Sequence, residues 1–223
     1  MINRLTMCCR LALHLTYTFF QILYGAWRIA GVGGPYVSIF GSARFSQDDT
    51  YAKQAHELAR MLVEDDISVL TGGGPGIMEA ASCGAVDPDS RAKSIGIGVR
   101  DLTEKHNQCV QIRFELEYFF ARKWLLTHYS SAFIVFPGGF GTLDELAEVI
   151  TLVQTKKLKK VPIVLVGKEY WRPFMNWIEQ EAIKHGAISQ EDIAVFTVTD
   201  DLDQAFCLAR DECSMQAHNE ENK

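Results

Sequence analysis

The sequence lacks the motifs that usually mark a metal site. Its six cysteines form no C-x-x-C pair, its six histidines form no H-E-x-x-H, and neither residue type has the spacing of zinc ligands. We therefore expect no metal site and no cofactor. Six scattered cysteines in a chain of this size indicate reduced thiols, as is typical of a cytoplasmic protein.

The sequence also lacks an excess of positive charge. Its 22 lysines and arginines are outnumbered by 28 aspartates and glutamates, which gives a net charge of −6. A nucleic-acid groove needs a basic surface, so no nucleic-acid partner is expected. The basic run at residues 156–160 is interpreted as the solvated end of a helix.

Two common nucleotide-binding motifs are missing as well. None of the glycine-rich loops reads G-x-G-x-x-G, and none ends in the Gly-Lys-Ser/Thr of a P-loop. A dinucleotide site or a nucleoside triphosphate site is therefore poorly supported.

What the sequence does contain is a regular alternation of apolar runs and amphipathic stretches. Its 223 residues are enough for one large domain with a core. Because the runs are apolar on both faces, they predict a Rossmann-like, doubly wound α/β fold, in which a parallel sheet of six to seven strands carries helices on both faces. The predicted strands are 36–40, 67–70, 94–99, 109–113, 132–136, 161–166 and 194–198. The predicted helices are 48–64, one opened by the glycine turn at 71–76, 115–129, 143–152, 170–185 and 201–213.

We expect a single domain at residues 35–213, preceded by an N-terminal helix within 1–34 and followed by a polar, disordered tail at 214–223. The stretch from Leu11 to Trp27 has no charged residue, which is somewhat similar to a signal peptide or membrane anchor. Its 17 residues are at the short limit for a span, and His14 and Gln21 interrupt it. We interpret it as a helix that packs on the domain or on a partner subunit, with a membrane role as the less favoured alternative.

Glycine-rich loops follow three of the predicted strands. They are residues 41–44 (GSAR), 71–76 (TGGGPG) and 137–142 (PGGFGT). Glycine lets the backbone bend tightly and approach a ligand without a clash from Cβ. Ligands of open α/β sheets bind beyond the carboxyl ends of the strands, so we expect the three loops to gather at one edge.

The third loop, at residues 137–142, leads directly into a helix and is the main candidate for a ligand site. Free N–H groups and the dipole at a helix start favour an anion such as phosphate near Gly141 and Thr142. Glu145 is expected in the first turn of this helix, close to whatever the helix end binds. A plain strand-to-helix turn is the competing interpretation of this loop and of the loop at 71–76.

These two glycine loops resemble those of the lonely guy (LOG) family. The residues that carry the resemblance are 71–79 (TGGGPGIME) and 137–145 (PGGFGTLDE), together with Arg122 and Lys123 on the preceding helix. The resemblance extends over about residues 36–201. Members of the family are Rossmann-like phosphoribohydrolases, many of them labelled as possible lysine decarboxylases. The longer GPGIME form and the N-terminal extension are more similar to the larger bacterial members.

The resemblance implies hydrolysis of the N-glycosidic bond of a purine nucleoside 5′-monophosphate to free base and ribose 5-phosphate, with AMP or an N6-modified AMP of the cytokinin type as substrate. It implies that Arg122 and Glu145 are the catalytic pair and that Glu79 binds the ribose hydroxyls. It also implies a homodimer, or a higher homo-oligomer, with the site near the subunit interface. The implied substrate-binding residues are Gly41, Ser42, Gly73, Gly74, Gly76, Glu79, Phe119, Lys123, Gly138, Gly139, Gly141 and Thr142.

The residue types suit this chemistry on physical grounds as well. Cleavage of an N-glycoside builds positive charge on the ribose ring, which a carboxylate such as Glu145 stabilises while it orients or deprotonates water. Arg122 can clamp a phosphate or hold Glu145 ionised. The plainer alternatives are a surface arginine and an acid favoured by the helix dipole. Asp144 is the residue before Glu145, so its side chain should lie on a different side of the helix and point away from the site.

Two positions depart from the family pattern. Phe119 stands where the family usually has Met, and Ser82 stands where the larger members usually carry Asn. Phe119 is expected to line the base pocket, so the preferred base is left open. Two other functions compete with hydrolysis. One is a binding module that senses a nucleotide without turnover, and the other is a lysine decarboxylase with Lys123 as the Schiff-base lysine.

Overall fold

The structure is a computed structural model that describes residues 2–100, 102 and 107–221 of the chain. The described residues form one sheet of seven parallel strands, which confirms the predicted α/β architecture. The strands are β1 (Tyr36–Phe40), β2 (Ser68–Thr71), β3 (Ser94–Val99), β4 (Ile112–Leu116), β5 (Ala132–Val135), β6 (Ile163–Val166) and β7 (Phe196–Thr199). Their order across the sheet is β4-β3-β2-β1-β5-β6-β7.

Helices cover both faces of this sheet. They are α1 (Ile2–Ala30), α2 (Thr50–Glu64), α3 (Ile77–Gly84), α4 (Phe119–Tyr129), α5 (Phe140–Gln154), α6 (Lys168–Trp177) and α7 (Leu202–Glu221). The core on one face is built with α2, α3 and α7, and the core on the other with α4, α5, α6 and the end of α1. The central strands β1, β2, β5 and β6 are buried at every residue, because helices cover them on both faces.

The chain reverses its direction across the sheet between β1 and β5. β1 pairs with β2 on one side and with β5 on the other. From there β2, β3 and β4 extend one way, and β6 and β7 extend the other way from β5. In sheets of this kind, ligands bind at the reversal, beyond the carboxyl ends of the strands. The loops that leave β1 and β5 at this point are two of the three glycine loops.

The predicted fourth strand and the helix after it are shifted along the chain. The strand lies at Ile112–Leu116 instead of 109–113, and α4 begins at Phe119 instead of Glu115. Leu116 is buried opposite Val99 of β3, so pairing with the neighbouring strand, rather than local propensity, decides where this strand ends.

Two further differences lie near the C-terminus of the domain. The helix predicted for 170–185 is α6 from Lys168, followed by a π-helical segment at Ile178–Ile183. The last strand begins at Phe196, because Gln190–Val195 forms a 3₁₀ turn. A capping box between Ser189 and Asp192 closes that turn.

The polar tail from Ser214 is helical as far as Glu221, so the prediction of a disordered tail is wrong for that stretch. Gln216 holds α7 against the domain by accepting a hydrogen bond from the Ser131 hydroxyl at 2.9 Å. A contact between residues 85 positions apart cannot be read from local composition. Residues 222 and 223 of the predicted tail lie outside the described residues.

Two cysteines form a disulfide, so the prediction of six reduced thiols is wrong. Cys83, near the end of α3, is bonded to Cys109 in the segment before β4. The two are 26 residues apart in the sequence and meet only through the fold. Cysteine usage therefore no longer supports a cytoplasmic location. The free cysteines are Cys8, Cys9, Cys207 and Cys213.

The N-terminal helix α1 contacts α4 and β4. Among its described side chains, the buried ones lie in its second half and include Thr18 and Ile29. None of the described helices has the length and apolar composition needed to cross a membrane.

Candidate active site

The three glycine loops meet at the carboxyl edge of the sheet, where the chain reverses. The Ser42 N–H donates to the Pro137 carbonyl at 3.0 Å, and the Ile77 N–H donates to the Ser42 carbonyl at 3.0 Å. The loop after β1 is therefore hydrogen-bonded to the other two. This confirms the prediction that the loops gather at one edge of the sheet.

The loop after β2 approaches the loop after β1 too closely for any side chain at one position. Gly76 has φ +67°, and a Cβ placed there would collide with the backbone of Ser42 and Ala43. Gly73 has φ +71° and lies against Gly96 of β3. The turn therefore fixes how the start of α3, which carries Glu79 in its first turn, is set against the loop after β1.

The loop after β5 is packed on its inner side and open on its outer side. A Cβ on Gly138 would collide with the buried Thr142 hydroxyl, whereas a Cβ on Gly139 or Gly141 would meet nothing within 4 Å. Phe140 between them is 92% exposed. The start of α5 is therefore open to solvent at Gly139 and Gly141, and the free N–H groups of a helix start can bind an anion.

Arg122 and Glu145 meet beside these loops in a buried ion pair. The Arg122 Nη2 lies 2.5 Å from the Glu145 Oε1, and each side chain is only 11% exposed. Arg122 comes from the first turns of α4. Glu145 comes from the second turn of α5 rather than the predicted first turn, because α5 already begins at Phe140.

Part of the Arg122 guanidinium is left without a protein partner. Among the described residues, its buried Nε has no hydrogen-bond partner. Buried N–H groups are nearly always paired, so an unpaired one beside these loops is a candidate donor to a ligand. Both proposed roles of this arginine, holding Glu145 and binding an anion, are therefore open to it at once.

Gly72 makes room for this arginine, a role that its sequence context does not indicate. A Cβ on Gly72 would lie 3.1 Å from the Arg122 Nη1 and 2.8 Å from the Met78 Sδ. The glycine run after β2 therefore serves the ion pair as well as the turn. Only knowledge of which helix crosses the loop reveals this contact.

The surroundings of the Glu145 carboxyl change its pKa. Burial raises its pKa above the usual glutamate value, while the Arg122 guanidinium acts in the opposite direction. A carboxylate with a raised pKa is a better proton acceptor than an ordinary exposed glutamate. Such a shift beside a specific cation is typical of functional sites.

Lys123, next to the ion pair, is held by α5 rather than left free. Its amine lies 2.6 Å from the Glu148 carboxylate and 3.1 Å from the Asp144 carboxylate. Burial alone lowers the pKa of Lys123, but these two hydrogen-bonded acids outweigh it and the pKa is raised. Asp144 points away from Glu145 toward this lysine and is mostly exposed, as predicted.

Phe119 borders the site from α4. It is 49% exposed, and its ring lies 5.3 Å from the Arg122 guanidinium carbon, in a cation–π contact. Glu79 on α3 is half-buried.

The described residues contain no group of three or more histidine, cysteine, aspartate or glutamate side chains placed to hold a metal ion.

Tyr170 supports the third loop from outside the site that the sequence predicts. Its hydroxyl donates to the Gly138 carbonyl at 2.5 Å. This bond fixes the peptide that joins Gly138 to Gly139 and therefore the direction of the Gly139 N–H. The signal in the sequence is weak, since a tyrosine 32 residues away on another helix suggests only packing.

The sequence profile of the family described as "Possible lysine decarboxylase" matches residues 78–208. A protein of Arabidopsis thaliana named probable cytokinin riboside 5′-monophosphate phosphoribohydrolase LOG6 is 32% identical over 154 residues, which is 68% of this chain and 76% of the relative. The rice protein (Oryza sativa subsp. japonica) named cytokinin riboside 5′-monophosphate phosphoribohydrolase LOG is 32% identical, and the match covers 68% of this chain but only 62% of the rice protein. A protein of the same enzyme name from Rhodococcoides fascians is 26% identical, over 78% of this chain and 88% of the relative.

Solved structures share the fold at lower sequence identity. The molybdenum cofactor carrier protein from Chlamydomonas reinhardtii superposes with a TM-score of 0.58 at 19% identity, over 82% of this chain and 99% of that one. A molybdenum cofactor binding protein from Rippkaea orientalis superposes with a TM-score of 0.55 at 21% identity, over 84% of this chain and 97% of that one.

The profile match covers more than half of the sequence and contains Arg122 and Glu145. On that evidence the chain belongs to the LOG family, whose profile is described as "Possible lysine decarboxylase".

Proposed function

We propose that this protein hydrolyses the N-glycosidic bond of a purine nucleoside 5′-monophosphate and releases the free base and ribose 5-phosphate. The observation that carries the proposal is the buried Arg122–Glu145 pair, set beside three joined glycine loops at the point where the sheet reverses. The relatives named as cytokinin riboside 5′-monophosphate phosphoribohydrolases support the same reaction class.

In this proposal the substrate phosphate lies over the exposed start of α5. Gly139 and Gly141 are exposed there, and the free N–H groups of a helix start favour an anion. The unpaired Nε of Arg122 supplies a further donor. Glu79, in the first turn of α3, faces the ribose hydroxyls. These contacts hold the ribose between the glycine loops and Glu145.

The bond between C1′ and the base nitrogen then breaks, and its electron pair leaves with the base. Positive charge builds on the ribose ring, and the Glu145 carboxylate stabilises it at close range. Water adds its hydroxyl to C1′ and gives its proton to Glu145, which returns it to solvent. The departing base takes up a proton at the nitrogen that was bound to ribose, so atoms and charge balance.

The base is proposed to be adenine or an N6-modified adenine, with Phe119 against it. An exposed phenylalanine beside the site offers a flat apolar surface on which a purine can stack. Lysine decarboxylation is disfavoured because a Schiff-base lysine needs a lowered pKa, whereas the pKa of Lys123 is raised by two acids.

A substrate panel tests the proposal. Purified protein is incubated with AMP, an N6-modified AMP, GMP, IMP, CMP and UMP, and free base is measured by chromatography. We expect base release from the adenine nucleotides, and release from adenosine at least about 100-fold slower because the phosphate contacts are missing. Binding of AMP without any base release would favour the nucleotide-sensing alternative. Equal rates with AMP and adenosine would contradict the proposed phosphate site.

The pH dependence of base release follows from the environment of Glu145. The reaction needs the carboxylate, and burial raises its pKa, so kcat/KM should fall on acidification at a pH above the usual glutamate pKa. A raised folded-state pKa means that protonation of Glu145 favours the folded state, so this loss of activity precedes any unfolding due to that group. Activity profiles and circular dichroism measured over the same pH range check this order. An acid limb that coincides with unfolding would contradict it.

Tyr170 is expected to position the phosphate-binding loop. Replacement of Tyr170 by Phe removes only the hydroxyl that holds the Gly138 carbonyl, so KM for the nucleotide should rise by roughly three- to tenfold with kcat nearly unchanged. Tyr24→Phe is the matched control, since the Tyr24 hydroxyl accepts a hydrogen bond from Arg28 within α1 and does not contact this loop. A drop in kcat without a change in KM would contradict the positioning role.

A further inference from the structure

The segment before β4 brings the chain back across the sheet. Since β3 and β4 are parallel neighbours, the chain after Val99 must return from the carboxyl edge to the amino edge before β4 can begin. Residues 107–111, here called the return segment, complete this path and form no helix or strand. Its far end is fixed by Gln111, whose N–H donates to the Ser94 carbonyl at 3.1 Å and whose side chain accepts the Ser94 N–H at 2.9 Å.

The return segment is joined to α3 at two points. The side-chain amide of the buried Asn107 donates to the Met78 carbonyl at 3.2 Å. The side-chain oxygen of Asn107 accepts the Cys109 N–H at 2.9 Å, and Cys109 is bonded to Cys83. A hydrogen bond therefore holds the first turn of α3, and a covalent bond holds the helix near its end.

The two faces of α3 are secured in different ways. One face is buried in the core through Ile77, Ala80 and Ala81. Glu79 and Cys83 lie on the other face and are only half-buried, and they are neighbours because they are four residues apart. A helix as short as α3 has little stability of its own, so its orientation depends on the contacts made by both faces. The disulfide is the covalent link on the face that carries Glu79.

Met78 connects the return segment to the Arg122–Glu145 pair. A Cβ placed on Gly72 would lie 2.8 Å from the Met78 Sδ and 3.1 Å from the Arg122 Nη1, so the two side chains border the same small space. The carbonyl of this methionine is the group that Asn107 holds. A shift of the return segment would therefore move the first turn of α3, which carries both Met78 and Glu79.

The disulfide is open to attack by a reductant, because both of its cysteines are partly exposed. A dithiol reduces such a bond by exchange. One thiolate of the dithiol attacks a sulfur and breaks the S–S bond, and the second thiol then displaces the protein sulfur from the mixed disulfide. Cys83 and Cys109 end as thiols and the dithiol ends as a disulfide, so two electrons and two protons pass to the protein.

We propose that the Cys83–Cys109 disulfide positions Glu79 and makes the site sensitive to thiol redox state. With the bond formed, α3 is held between the core and the return segment, and the Glu79 side chain is fixed. With the bond reduced, the covalent link on that face is lost and Glu79 binds the ribose less well. The proposal rests on the proposed function through the contact of Glu79 with the ribose, but the exposure of α3 amides to exchange reports the link without any turnover.

The test compares the full chain before and after reduction. Peptide mapping by mass spectrometry of protein purified without reductant should show Cys83 linked to Cys109. Dithiothreitol should then raise KM for AMP by roughly fivefold, with kcat within about twofold, and hydrogen exchange should become faster in α3 but not in α5. The double variant Cys83→Ser/Cys109→Ser should behave as the reduced wild type and no longer respond to dithiothreitol. Cys207→Ser, at a half-buried free cysteine on α7, is the matched control and should keep the wild-type response.

Two results would overturn the proposal. One is the absence of a peptide that links Cys83 to Cys109, and the other is a KM that is equal with and without dithiothreitol. Because reduction needs no substitution, the second result is decisive even where the double variant does not fold. If AMP is not cleaved at all, the proposed function fails on its own. Calorimetry with AMP and the exchange of α3 amides then decide on the disulfide, and values that reduction leaves unchanged would overturn its role.

Discussion

Replacement of Glu145 by Gln is expected to reduce the rate of base release from AMP by about 10³-fold, with little change in nucleotide binding. The carboxylate is the proposed stabiliser of the charged ribose ring and the acceptor of the water proton, and the loss of either role typically costs 10²-fold or more. Gln keeps an oxygen that can accept the Arg122 hydrogen bond, so the buried guanidinium is not left without a partner.

Single-turnover kinetics measure the rate, and calorimetry with AMP measures the binding. Glu181→Gln is the matched control, because it neutralises an exposed glutamate that pairs with the exposed His185, and it should behave as wild type. Thermal unfolding should show Glu145→Gln folded. A folded variant that keeps more than about a tenth of the wild-type rate would remove Glu145 from the chemical step.

Replacement of Gly76 by Ala is expected to destabilise the protein by about 3 kcal/mol or more and to abolish base release. The new Cβ would occupy the space of the Ser42 carbonyl while the backbone is held at φ +67°. Relief of this collision must move the loop after β1 away from the loop after β2. The loops after β1 and β2, which border the proposed site, would then separate.

The variant Gly33→Ala separates the two causes of the lost stability, which are the collision with Ser42 and the strain of a left-handed backbone. Gly33 has φ +73°, but a Cβ at this position would meet nothing within 4 Å, so its substitution should cost only the left-handed backbone strain of roughly 1–2 kcal/mol. Urea unfolding of both variants gives the comparison. Equal costs at the two positions would mean that the collision with Ser42 does not determine the stability of the loop junction.

The sheet and the gathering of the loops could be predicted because their signals are local. Apolar runs such as 94–99 have both the composition and the length of buried strands, and glycine-rich loops follow them. Parallel strands all end at the same edge, so the loops had to meet there. The pairing of Arg122 with Glu145 was open to prediction because each lies on a helix flanking the same strand.

The contacts that could not be predicted depend on distant parts of the chain. Gly72 faces Arg122, Tyr170 holds Gly138, and Cys83 bonds to Cys109 only because the fold brings separate segments together. Residue type alone favours a turn, a packing aromatic and a free thiol at these positions. The shift of the strand at 112–116 has the same origin, since its end is decided by its partner strand.

Two ion pairs side by side connect α4 to α5, and together they fix the register of these helices. Arg122 holds Glu145, and the adjacent Lys123 holds Glu148, three residues further along α5. A slide of one helix past the other would break both pairs at once and leave buried charges without partners. The two helices should therefore move as a single rigid body, and the entry and exit of a ligand should depend on the loop that ends at Gly139.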